Sequence, residues 1–225
     1  MKNTTTVKFL LIPALLACAV AAQAQSAGTW LGRIGGTKIT PNVTSDDMTA
    51  PSLAGTKASI DSSSRLSGGV TYMVSDNLAI DVPLAVPFQH DINGDGAILG
   101  AGKIADVKAL PVTLMAQWRF LEPNAPVRPY VGAGVTYAAF YGARSTSTLT
   151  ALTGGTPSNP TTLSVDSKWA ATLQLGASFQ LKDGWFIDAS YTVTPLRTRT
   201  TLSTGQTLDT TLNPTSFSLS IGMRF

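Results

Sequence analysis

The sequence predicts an all-β fold: an eight-stranded antiparallel transmembrane β-barrel with short periplasmic turns and long extracellular loops. Three observations carry this expectation. Charged residues make up only 13% of the chain, against roughly 25% in soluble domains. No window after residue 24 holds the ~18 unbroken apolar residues of a membrane helix. Instead, the apolar residues recur at every second position of short segments, the period of a strand with two chemically different faces.

Residues 1–24 read as a secretory signal. Lys2 and Lys8 give the positive start, residues 9–22 the apolar stretch, and Ala22-Gln23-Ala24 a small-x-small cleavage site. That stretch is short and broken by Pro13, which makes it a poor spanning helix. Cutting after Ala24 leaves residues 25–225 as one barrel domain and removes Cys18, the only cysteine. Disulfide and thiol chemistry are then not expected. Leu15-Leu16-Ala17-Cys18 offers a rival lipoprotein box, but the apolar stretch continues past Cys18, which favours the conventional cut. Removing Lys2 and Lys8 lowers the net charge from +3 to +1, too little to suggest nucleic acid as a partner.

The strands follow in order. The first, residues 29–40, is glycine-rich, with Trp30 and Ile34 outward. Residues 66–74 place Leu66, Gly68, Val70, Tyr72 and Val74 outward. Residues 78–88 do so with Leu78, Ile80, Val82, Leu84, Val86 and Phe88. In 110–120 the outward set is Leu110, Val112, Leu114, Ala116, Trp118 and Phe120. For 128–139 it is Val131, Ala133, Val135, Tyr137 and Ala139. Residues 169–181 turn Trp169, Ala171, Leu173, Leu175, Ala177, Phe179 and Leu181 outward. Residues 185–193 do the same with Trp185, Ile187, Ala189, Tyr191 and Val193. In the last strand Phe217, Leu219, Ile221, Met223 and Phe225 alternate with small or polar residues to the final position. A terminal phenylalanine there resembles the assembly signal of outer-membrane barrels, which makes the barrel-assembly machinery the expected partner of this strand.

Each segment is near the ~9–11 residues that a tilted strand needs to cross the hydrocarbon. Trp30, Trp118, Phe120, Trp185 and Phe225 sit near strand ends, as interfacial girdles do. Connections alternate in length. Ser75-Asp76-Asn77, residues 122–127 and Lys182-Asp183-Gly184 are short, whereas 41–64, 89–109, 141–167 and 202–214 are long and rich in Gly, Ser, Thr and Asp. The last four read as external loops, 142–167 as the most flexible of them. Closure satisfies every strand edge in lipid, so the expected location is the outer membrane of a Gram-negative-type bacterium, with its lipid as a partner.

Several runs are similar to the OmpW family of small outer-membrane barrels. Thr71-Tyr72-Met73-Val74-Ser75-Asp76-Asn77 through Val86-Pro87-Phe88-Gln89-His90-Asp91-Ile92 resembles that family's second hairpin. Leu110-Pro111, residues 113–120 and Arg128-Pro129-Tyr130-Val131-Gly132-Ala133-Gly134-Val135 resemble its fourth and fifth strands. Ile221-Gly222-Met223-Arg224-Phe225 resembles its ending. The resemblance implies a role in letting small hydrophobic solutes cross the outer membrane. The loops differ most, so the choice of ligand does not follow from it.

An eight-stranded barrel has room for its own side chains or one small ligand, which excludes a broad aqueous pore. Arg33, Asp81, Arg119, Asp188 and Arg224 face inward near the periplasmic ends, with Gln180 beside them. Unpaired charges in a narrow lumen are costly, so these residues are expected to pair, first as a satisfied core and thereby as an ionic plug. Above them lies a small, weakly polar lining that includes Pro83, Pro87, Pro111, Met115 and Thr192. Met115 can adapt to irregular apolar shapes. Proline donates no ladder hydrogen bond, and Pro83, Pro87 and Pro111 fall on the adjacent third and fourth strands. The wall is therefore expected to be weakest there, giving an apolar solute a sideways exit into lipid.

Three other signals carry less. Asp91, Asn93 and Asp95 match the opening half of a calcium loop, but the closing position holds Gly102 instead of a bidentate glutamate. Such clusters more often make turns. His90, the only histidine, raises a lipid-modifying enzyme as one alternative, yet no nucleophile motif surrounds any serine. Neither catalysis nor a cofactor is expected. The other alternative is a surface adhesin or structural protein acting through its loops.

Overall fold

The computed structural model describes residues 25–225. The predicted leader, with Cys18 and the cleavage site, lies outside the described residues. In chain order the elements are β1 (Trp30–Thr40), β2 (Thr44–Ser45), β3 (Thr56–Ile60), β4 (Ser63–Met73), β5 (Leu78–Ala85), β6 (Phe88–Gly96), β7 (Lys103–Arg119), β8 (Val127–Ser145), α1 (Ser147–Leu152), β9 (Leu163–Val165), β10 (Lys168–Gln180), β11 (Trp185–Val193), β12 (Arg197–Leu202), β13 (Thr207–Thr211) and β14 (Thr215–Arg224).

Eight staves build the wall. They are β1, β4, β5 continued by β6, β7, β8, β10, β11 and β14, each antiparallel to the next. The ring closes because β14 also pairs with β1, from Leu31↔Arg224 to Thr40↔Thr215. The sheet is thereby a closed ring, the form in which strands can cross lipid.

The alternation is realised inside out. Along β7, Val112, Leu114 and Trp118 are half exposed on the outer surface, while Met115, Gln117 and Arg119 between them are buried. Phe217, Leu219 and Ile221 of β14 are likewise exposed, and Ser220 is buried. A soluble sheet would lose about 1.5–3 kcal/mol for each such large apolar side chain left in water. Acyl chains remove that cost. Trp30 and Tyr72, ring centroids 4.8 Å apart, belong to the lower aromatic girdle, and Tyr137 and Trp169, 5.0 Å apart, to the upper one.

Two expectations need correction. Phe88 does not face lipid. It is 1% exposed, whereas Val86 is 46% exposed. The third stave breaks between Ala85 and Phe88, and its pairing with β7 changes from Asp81↔Met115 to Phe88↔Ala109, a slip of one residue. A one-residue slip exchanges the two faces of a strand, so Phe88 turns into the lumen.

The second correction concerns the long connections, which are folded. β6, β7 and β8 run on beyond the upper girdle, β3 pairs with β6, and β2-β13-β12-β9 form a separate sheet. Residues 142–167 contain the end of β8, helix α1, capped by Thr146 through its side chain, and β9. Met48, Ile92, Ile104, Val107, Leu149, Leu202 and Leu208 form a core between these parts. Their composition reads as loop because threonine is counted as polar. Threonine is also a good strand former, and Thr198 and Thr210 are buried among the apolar residues of this hairpin.

Candidate functional site

The floor of the lumen is built around two arginines. Arg33 grips Asp81 with both nitrogens, at 2.7 and 2.8 Å, and Thr71 bonds to both partners, at 2.8 Å from the guanidinium and 2.5 Å from the carboxylate. Gly69 lies opposite Arg33 in the β1–β4 register, and a Cβ there would come within 2.8 Å of the guanidinium. Arg119 donates to Gln25 Oε1 at 2.9 Å, Ser178 Oγ at 3.2 Å and Gln117 Oε1 at 3.0 Å, and it stacks on the Tyr130 ring at 4.7 Å. Tyr130 in turn donates to Asp188 at 3.0 Å.

The expected pairing of all five charged residues is thus met only in part. Arg33 and Asp81 form an ion pair, while Arg119 and Asp188 are joined through the Tyr130 ring and hydroxyl. Arg224 stands apart, donating to Gln180 Oε1 at 2.7 Å. The register explains this: Arg224 faces Leu31, whereas Arg33 faces Gly222, two residues further into the barrel.

Sequence reasoning missed Arg128 and Tyr130, although the parity chosen for the fifth strand already turned both inward. Arg128 is fully buried and donates to the backbone carbonyls of Gln25 at 2.7 Å, Asp76 at 2.6 Å, Phe120 at 3.3 Å and Leu121 at 3.4 Å. It ties two periplasmic turns and the start of the described chain beneath the floor. The Tyr130 ring fits because its partner across the β8–β10 ladder is Gly176, where a Cβ would lie 2.4 Å from the ring.

Above the floor is a cavity of about 160 Å³, with Pro83, Pro111, Met115 and Thr192 on its border. Pro87 is not part of this lining. It is half-buried in the break of the third stave. A chain of hydroxyls, Thr113–Thr136–Thr172–Thr194, runs along the wall at spacings of 2.8, 2.6 and 2.9 Å. His90 closes the upper part, buried, with Nδ1 2.8 Å from the Asp61 carbonyl. Burial, reinforced by nearby Arg65, lowers its pKa from the ordinary value, while the bond to Asp61 opposes the shift. Among the described residues no serine, threonine or carboxylate side chain is hydrogen-bonded to it.

The wall beside the cavity is incompletely laddered. Between Asp81↔Met115 and Phe88↔Ala109, residues 82–87 and 110–114 have no register pairs with one another. Pro83 and Pro111 bring no N–H to this stretch. The other flank of the third stave stays paired with β4 as far as Ser67↔Ala85. Leu84, 55% exposed on the outer surface, also borders the cavity. Arg65 caps the upper end, donating to the Pro87 carbonyl at 3.4 Å.

Asp91, Asn93 and Asp95 do not form a calcium loop. They lie on extended β6, with Asp91 paired to Lys103 at 2.7 Å, Asn93 donating to Asp61 at 3.1 Å and Asp95 accepting from the Gly96 amide at 2.7 Å. A strand cannot wrap its oxygens around one ion, and no cluster of metal-ligating side chains occurs among the described residues.

Comparison with known proteins agrees with this architecture. The OmpW family model matches residues 26–225. The chain belongs to the OmpW family. Outer membrane protein W of Vibrio cholerae serotype O1 is 33% identical over 208 residues, covering 90% of this chain and 91% of that protein. The crystal structure of OprG, an outer membrane protein of Pseudomonas aeruginosa, aligns with a TM-score of 0.79 at 25% identity, over 90% of this chain and 98% of the other. A more distant relative, the dibenzothiophene metabolism operon protein PahQ of Pseudomonas aeruginosa, is 24% identical over 157 residues, 68% of either chain. This OmpW-family chain is accordingly an outer-membrane barrel, with its short turns periplasmic and its folded extension outside.

Proposed function

We propose that the barrel admits small apolar molecules from the extracellular side and releases them sideways into the membrane between β5 and β7. The observation that carries this reading is the unladdered stretch at Pro83, Pro87 and Pro111 beside a cavity whose floor is closed. Passage downward would have to break the buried Arg33–Asp81 pair, and leaving one such charge unpaired costs about 3–5 kcal/mol. Passage through the wall has no ladder hydrogen bonds to break. A cavity near 150 Å³ lined by apolar side chains holds a molecule about as large as benzene, which matches a compact solute. The relative PahQ is a dibenzothiophene metabolism operon protein, and dibenzothiophene, an apolar aromatic heterocycle, is of the same class.

The test is uptake of naphthalene by cells that produce the protein, compared with cells that do not. A Pro83→Val/Pro87→Val variant, which restores the missing donors, is expected to slow the protein-dependent uptake severalfold. Unchanged uptake in a folded variant would overturn the sideways route.

A further inference from the structure

The cavity has two chemically different walls, and they face each other. Around the ring, β11 and β14 lie four staves from β5 and β7, so the two pairs stand on opposite sides of the lumen. On β11 and β14, the side chains of Ser190, Thr192, Ser216 and Ser220 border the cavity. Thr192 lies directly across the ladder from Ser216. None of these four hydroxyls has a hydrogen-bond partner among the described residues.

The other hydroxyls of the lumen are consumed. Thr113, Thr136, Thr172 and Thr194 bond to one another. Thr37 holds Ser67 and Ser218, both at 2.7 Å. The wall on the exit side presents Pro83, Ala85, Phe88, Pro111 and Met115 to the cavity, none of which offers a side-chain donor or acceptor beyond the weak thioether. It also presents Thr113, whose hydroxyl is held by Thr136, and at the upper end His90, whose Nδ1 is held by the Asp61 carbonyl. The one arginine that borders the cavity, Arg33, is held at both nitrogens by Asp81. An ionised solute would therefore find no free counter-charge, and a bare hydrocarbon would leave the four hydroxyls without a partner from the ligand.

We infer that the cavity is shaped for a neutral amphipathic molecule, a compact apolar body bearing one hydroxyl or carbonyl group. The polar group bonds the free hydroxyls of β11 and β14, and the apolar body points at the unladdered wall. This inference rests on the uptake reading above and adds to it a substrate class and an orientation. The solute meets the exit with its apolar end first, and the hydroxyl wall releases the polar group last.

Three probes that share one ring system test it: naphthalene, 2-naphthol and 2-naphthoate, supplied to cells with and without the full chain, the difference being protein-dependent uptake. One neutral hydrogen bond corresponds to a preference of about twofold to tenfold. The expected order is 2-naphthol above naphthalene by that factor, with 2-naphthoate far below both. In a Ser190→Ala/Thr192→Val/Ser216→Ala variant the naphthol-to-naphthalene ratio should fall towards one. Should the triple variant not fold, Ser190→Ala and Ser216→Ala are each expected to lower the ratio in part. An unchanged ratio in folded variants, or naphthoate as the best probe, overturns the inference while leaving the uptake reading intact. Absence of protein-dependent uptake for every probe instead overturns the uptake reading itself.

Discussion

Val86 and Phe88 stand on opposite faces of one stave although only Pro87 separates them: Val86 is 46% exposed towards lipid and Phe88 is 1% exposed in the lumen. In a continuous strand, residues two apart share a face. The inversion at Pro87 supplies Phe88 to the cavity and suspends the pairing of residues 82–87 with β7. The lining of the cavity and the gap in the pairing of its wall have one cause.

That cause gives a reversible test. Leu84→Cys and Val112→Cys place thiols on the two lips of the unladdered stretch, both positions being exposed on the outer surface. The only native cysteine, Cys18, lies in the predicted leader, so the bridge is unambiguous. Joining the pair with a short bis-methanethiosulfonate is expected to stop protein-dependent naphthalene uptake, and dithiothreitol to restore it. Undiminished uptake by the bridged protein would count against exit through this wall.

Much of this was legible in the alternation alone. The strand parity along β7 and β14 follows directly from a two-residue period, because lipid rewards an apolar outer face at every stave. The prolines likewise lie in the stretch where β5 and β7 lose their pairing. Phe88 was misplaced because an apolar residue in register with Val86 gives no sign that a slip intervenes. The pairing of Arg119 with Asp188 through Tyr130 was illegible for another reason: which inward groups meet across a lumen depends on the stagger of staves distant in sequence. The glycines held a clue, since Gly69 and Gly176 leave room for Arg33 and Tyr130, but their partners emerge only with the register.

The floor should obey the logic of a buried ion pair. Asp81→Asn leaves the Arg33 guanidinium enclosed without a counter-charge and is expected to destabilise the barrel by about 3–5 kcal/mol. The double variant Arg33→Met/Asp81→Leu removes both charges and should recover most of that loss. Urea unfolding in lipid vesicles measures both. A single variant as stable as the parent would mean that water already reaches this pair.

Tyr130 and Gly176 form a size couple. Gly176→Ala would bring a Cβ within 2.4 Å of the Tyr130 ring, and overpacking of this kind costs about 1–3 kcal/mol. Adding Tyr130→Leu relieves the clash and should restore part of the stability, despite losing the bond to Asp188. If the two substitutions simply add, the ring is free to move aside and the couple is not a constraint.

His90 gives the extracellular end a pH dependence whose direction follows from its setting. The ring is buried against the Asp61 carbonyl and feels the charges of Arg65, Asp61 and Asp91. Its pKa in the folded protein lies below the ordinary 6.5, so the unfolded chain binds the proton more readily. Stability from this residue is then present above the ordinary value and lost as pH falls through the lower folded one. Protonation would add a second cation beside Arg65 where little water is available to screen it. The β3–β6 strand pair should accordingly become more protease-sensitive between pH 7.5 and 5. His90→Gln keeps a donor for the Asp61 carbonyl but carries no proton-dependent charge, and it should flatten that profile. Equal pH slopes in the parent and in His90→Gln would assign the acid sensitivity to the carboxylates of the outer sheet instead.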